Sequence, residues 1–81
     1  MEVRYFGRLR EQLNIEVEQV SLPDNISDAS TLRTWLASTR YNGTCLLDQS
    51  VRVIVNEEIV TWEHTVTETD SIAFIPPVSG G

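Results

Sequence analysis

In this 81-residue chain one stretch repeats apolar residues at helical spacing over more than one turn, and that restricts the folds open to it. Ala29, Leu32, Trp35 and Leu36 fall three and four residues apart, on one face of a helix suited to lie on a flat partner. Ser27 or Asp28 stands where an N-cap belongs, with a side-chain oxygen to accept an otherwise unpaired backbone N–H. Elsewhere the apolar residues alternate. Glu2 to Phe6 has period two, with Val3 and Tyr5 expected to face inward. Glu16 to Leu22, the β-branched run Val51 to Val55, Ile59 to Trp62 and Asp70 to Ile75 also read as strands. Turn residues separate them: Gly7, Asn14, Pro23-Asp24-Asn25, Asn42-Gly43, Asn56-Glu57-Glu58 and Thr67 to Asp70. Leu9 and Leu13, four apart, predict a short helix, and Thr44 to Ser50 a loop or short helical turn. The order predicts an α+β fold, a mixed sheet of about five strands packed on one main helix. The first two strands should pair antiparallel, and residues 51–62 should form a hairpin.

A chain this short closes one modest core, with no room for a walled catalytic cleft. Twelve acidic residues against six basic ones give a net charge of −6. That field repels phosphate backbones and anionic lipid, so neither nucleic acid nor membrane is an expected partner. All six basic residues are arginines, so an activated carbonyl at the C-terminus would meet no ε-amine on its own molecule. One cysteine, Cys45, forms no internal disulfide, and no Cys/His spacing suits a metal, which favours a reducing, cytoplasmic setting. No apolar run has the length of a signal peptide or a membrane span.

Conventional catalytic groups are poorly placed. His64 lies beside Glu63 in a polar stretch and reads as an exposed imidazole. Cys45, next to Leu46-Leu47, reads as a small buried apolar residue, because a reactive thiolate needs a cationic neighbour. Glu57-Glu58 reads as a solvated turn tip. Phosphate-binding glycine loops and nucleophile elbows are absent.

The remaining chemistry lies in the tail. Residues 1–76 are read as the folded body and 77–81 as an extended tail, Pro77-Val78-Ser79-Gly80-Gly81. A carboxylate that must be threaded into another protein's active site is best carried by residues without side chains, and Gly80 and Gly81 supply that. Pro76 and Pro77 hold the backbone extended at low ordering cost. Five residues beyond Pro76 reach at most about 16–18 Å. A carboxylate itself is a poor acyl donor, but attack on the α-phosphate of ATP gives an acyl adenylate, and displacement of AMP by a sulfur nucleophile gives a thiocarboxylate.

The segment Asp70-Ser71-Ile72-Ala73-Phe74-Ile75-Pro76-Pro77-Val78-Ser79-Gly80-Gly81 resembles the ending of the small subunits of molybdopterin synthase, ubiquitin-like β-grasp sulfur carriers. Val3 to Glu11 is similar to that family's first strand and arginine-glutamate-containing helix, and Val55 to Glu58 to its hairpin. The resemblance implies that an E1-like adenylyltransferase activates Gly81 with ATP, that a sulfurtransferase supplies the sulfur, and that the loaded tail enters a large catalytic subunit. There two carriers would donate the dithiolene sulfurs that turn cyclic pyranopterin monophosphate into molybdopterin, the carrier itself performing no turnover. It further implies a docking face of Phe6, Arg10, Ile59 and Ile75, continued along the tail by Pro76, Pro77, Val78 and Ser79. The alternatives are a carrier of the same fold serving thiamine, cysteine or transfer-RNA thiolation, a protein modifier joined through Gly81 to a target lysine, and a passive interaction module.

Overall fold

The computed structural model describes residues 1–76. Five strands, β1 (Glu2–Tyr5), β2 (Val17–Gln19), β3 (Arg52–Val55), β4 (Glu58–Val60) and β5 (Ser71–Ile75), form one sheet in the order β2-β1-β5-β3-β4. β1 runs parallel to β5, and the other three pairings are antiparallel. Helices α1 (Gly7–Leu13) and α2 (Ala29–Thr39) and a 3-10 helix, Gly43–Leu47, complete the body.

The alternation sorts the strands as expected. Val3 and Tyr5, Ile72 and Phe74, and Val53 and Val55 are buried and stand opposite one another in register, so one face of the three middle strands is continuous core. Ala29, Leu32 and Leu36 of α2 join that core, while Trp35 lies half-buried at its margin. Leu9 and Leu13 of α1 close one end, and Leu46 anchors the 3-10 helix in the segment expected to be a loop or helical turn. Tyr5 and Phe74 stack with ring centroids 5.9 Å apart, and Trp62 stacks on Phe74 at 6.3 Å. Each such pair contributes about 0.5–1.5 kcal/mol beyond its buried area.

Asp28 caps α2: its Oδ1 accepts from the Thr31 N–H at 2.8 Å. Two further unpaired N–H groups of that first turn, on Ala29 and Ser30, donate to the carbonyls of His64 and Trp62. This explains why β4 stops at Val60 although the apolar pattern continues to Trp62, since the chain turns from the sheet to close the helix end. Trp62 then lies under Arg33, whose guanidinium carbon is 3.8 Å from the ring centroid. β2 is likewise shorter than its pattern: ladder-like bonds run from Glu16 to Val20, after which the Leu22 N–H donates to the Glu68 carboxylate. Asn14 ends α1 in the left-handed conformation its side chain tolerates, with φ +59°.

One cross-sheet tie has no local signature. The Tyr5 hydroxyl donates to Glu18 at 2.7 Å, and Arg40, just past α2, donates to the same carboxylate through Nε and Nη2 at 2.9–3.1 Å. The tie binds edge strand β2 to its inner neighbour β1 and to the end of α2. Burial and the Glu18 hydrogen bond push the Tyr5 phenol far above its ordinary range.

Candidate functional site

Phe6, Ile75 and Pro76, three of the residues expected at the docking face, stand together at the end of the sheet where β5 leaves it. β5 is paired on both sides, with β1 through Tyr5↔Phe74 and with β3 through Arg52↔Ile75, so its last residue is held by the ladder. Pro76 follows, seated against Gly7 at the start of α1, and the Phe6 N–H donates to the Phe74 carbonyl at 3.2 Å. Chain that continues past Pro76 therefore starts from a fixed point. Pro77, Val78, Ser79, Gly80 and Gly81 lie outside the described residues.

One row of the sheet's solvent face is apolar except at Arg4. Register aligns Val17 of β2, Arg4 of β1, Ala73 of β5, Ile54 of β3 and Ile59 of β4 across the five strands. Ile59 is 70% exposed and Val17 41%. Phe6, 44% exposed, shares a shallow depression of about 260 Å³ with Arg4, Ile54 and Ala73. Ile75 is half-buried opposite Arg52. Phe6, Ile59 and Ile75 thus belong to one surface, joined by Ile54 and Ala73. Arg10 lies apart from that row, on α1, exposed and 3.8 Å from Glu16. Ile54 and Ala73 were legible in principle: the alternation that buries Val53, Val55, Ile72 and Phe74 turns them outward. Their joining to Phe6 and Ile59 requires the strand order.

On the other side of the tail root, Arg8, Leu9, Cys45, Asp48, Val51 and Pro76 line a depression of about 660 Å³. Hydrogen bonds from Ser50, with a smaller contribution from Arg8, hold the Asp48 carboxyl below its usual range. Cys45 is a free, half-buried thiol packed against the core, and burial pushes its pKa up, so it is not an activated nucleophile. His64, Glu57 and Glu58 are exposed, as the sequence suggests. Among the described residues no three metal-ligating side chains cluster, and no helix is long and apolar enough to cross a membrane. The body thus offers a firmly held strand end and an apolar face beside it.

A mixed sheet in this order, folded over one main helix, defines the class: a ubiquitin-like β-grasp domain. Within that class the chain belongs to the ThiS family, whose model matches residues 3–81. It is 28% identical over 81 residues to the molybdopterin synthase sulfur carrier subunit of Escherichia coli, a match covering 100% of this chain and 99% of the relative. Its fold is similar to that of a Pyrococcus furiosus protein provisionally named molybdopterin converting factor subunit 1, with a TM-score of 0.76, 24% identity and 95% of each chain covered. It is also similar to a chain in the Helicobacter pylori complex of subunits 1 and 2 of molybdopterin-converting factor, with a TM-score of 0.65, 23% identity, and 99% and 96% of the two chains covered.

Proposed function

We propose that this chain is the sulfur carrier subunit of molybdopterin synthase. An E1-like adenylyltransferase joins the Gly81 carboxylate to the α-phosphate of ATP with release of pyrophosphate, and a sulfur nucleophile delivered by a sulfurtransferase displaces AMP to leave a thiocarboxylate. The loaded tail then enters the large subunit, where two carriers supply the dithiolene sulfurs of molybdopterin from cyclic pyranopterin monophosphate. The working assembly is a heterotetramer of two carriers and two large subunits in the cytoplasm.

The observation that carries this reading is the fixed strand end: β5, paired on both sides, delivers the chain to Pro76 beside an exposed apolar face. A carrier needs both features, a rigid origin for its reactive end and a surface that docks the body. The family membership and the name of the E. coli relative support the same reading. The subunit complex among the similar structures supports a large-subunit partner. Phe6, Ile54, Ile59 and Ile75 would meet the partner, and Gly80 would admit the tail to a narrow channel.

Intact mass spectrometry tests the proposal. Incubation with ATP, a sulfur source and the activating enzyme should add the mass of one oxygen-to-sulfur exchange, and removal of Gly81 should abolish the gain. An unloaded chain, under conditions that load another carrier, would falsify it.

A further inference from the structure

Every side-chain cation of this molecule is a guanidinium: Arg4, Arg8, Arg10, Arg33, Arg40 and Arg52. Two of them stand at the point where β5 ends. Arg8, exposed on α1, lines the same depression as Pro76, and Arg52, exposed on β3, is the cross-strand partner of Ile75. Paired strand residues lie about 4.5–5.5 Å apart, whereas the five residues after Pro76 have a contour of about 16–18 Å. A side-chain amine at either position would therefore lie within reach of a reactive group at residue 81. A guanidinium stays protonated at any physiological pH and has no free electron pair to attack a carbonyl.

The Met1 ammonium is the remaining primary amine. It donates to the Val20 carbonyl at 3.2 Å, and the parallel pairing of β1 with β5 sets it beside Asp70, at the opposite end of the sheet from Pro76. Asp70 and Pro76 stand six residue steps apart along the strand, about 20 Å at the strand rise. That exceeds the tail's contour, so the amine is out of reach.

We propose that this amine-free surrounding is a specificity device: it denies the activated Gly81 acyl group an internal acceptor and reserves it for sulfur. The inference rests on the adenylation reading above. In the reaction it prevents, a lysine ammonium first gives one proton to water, and the neutral nitrogen forms an amide bond to the Gly81 carbonyl carbon. The bond from that carbon to the phosphate oxygen breaks, AMP leaves with the bonding electrons, and the nitrogen gives a second proton to water. The product would be a looped, inert carrier. Arg8 and Arg52 keep positive charge beside the tail root without that hazard.

The test compares the full chain with Arg8→Lys and Arg52→Lys, exposed substitutions that keep charge. Each is prepared as a C-terminal thioester by thiol cleavage of an intein fusion, held at mildly alkaline pH and followed by intact mass. The unaltered chain should end as the hydrolysed acid. At least one lysine variant should end largely as an internal amide, mapped by proteolysis to residues 8 or 52 and 81. In loading reactions with ATP, activating enzyme and a sulfur source, that variant should yield at least twofold less thiocarboxylate. Lysine variants whose thioesters only hydrolyse would overturn this proposal alone, as would an internal amide at Met1 in the unaltered chain. An unaltered chain that gains no sulfur would overturn the carrier reading and this proposal together.

Discussion

Gly7 and Pro76 approach so closely that a β-carbon on Gly7 would stand 2.9 Å from the Pro76 Cγ, and Gly7 also has φ +53°. Both facts exclude a side chain. Gly7→Ala should cost about 1–2 kcal/mol through the left-handed conformation alone, read as a lower urea midpoint at unchanged m value. The contact with Pro76 adds a term that Pro76→Ala should partly relieve. The double mutant should therefore show a favourable coupling of about 0.5 kcal/mol or more.

The hairpin between β3 and β4 turns through Asn56 and Glu57, with φ +50° and +72°. Such a turn favours asparagine followed by glycine. Glu57→Gly should stabilise the domain by about 0.5–1 kcal/mol, because it relieves a left-handed L-residue that is exposed. A thermal melt should rise by a few degrees. Asn56→Gly should do the reverse, since Asn56 Nδ2 donates to Asp70 and its Oδ1 accepts from the Ser71 N–H, both at 2.9 Å.

The five strands, the α2 stripe and the Asp28 cap were legible because each is a local pattern. The strand limits at Val60 and Gln19 were not, because the chain leaves the sheet there to satisfy N–H groups elsewhere. Likewise Ile54 and Ala73 show by alternation that they face out, but not that they adjoin Phe6 and Ile59. The Tyr5-Glu18-Arg40 tie joins residues 13 and 22 positions apart, and no short motif announces it.

That tie sets a pH dependence. Burial alone would raise the Glu18 pKa, but hydrogen bonds from Arg40 and Tyr5 outweigh it and hold the carboxyl below its ordinary value of 4.5. A depressed carboxylate stabilises the fold fully above its unfolded pKa, and that contribution is lost as pH falls through the lower folded value. Stability should therefore decline below about pH 4.5, with Asp70, lowered by Asn56 and Thr67, acting in the same direction. Denaturant titrations at pH 3 and pH 6 should show a smaller difference in Glu18→Gln than in the unaltered chain.

Ile59 contributes little to the core because it is so exposed. Ile59→Asp should shift stability by about 0.5 kcal/mol or less yet weaken binding to the large subunit about tenfold or more, by burying a charge in an apolar contact. Calorimetric titration against that subunit checks the second effect and a melt the first. Equal affinity would remove Ile59 from the docking face.

The strand at the middle of the sheet is also the last of the five to leave the ribosome. β1 emerges first and waits for a parallel neighbour some seventy residues later in the chain, a long-range closure of the kind that slows folding. A nascent chain halted before Ser71 would lack the strand that joins β2-β1 to β3-β4, leaving two strand pairs with nothing between them. Translation therefore has to deliver β5 before the two halves of this sheet can be joined.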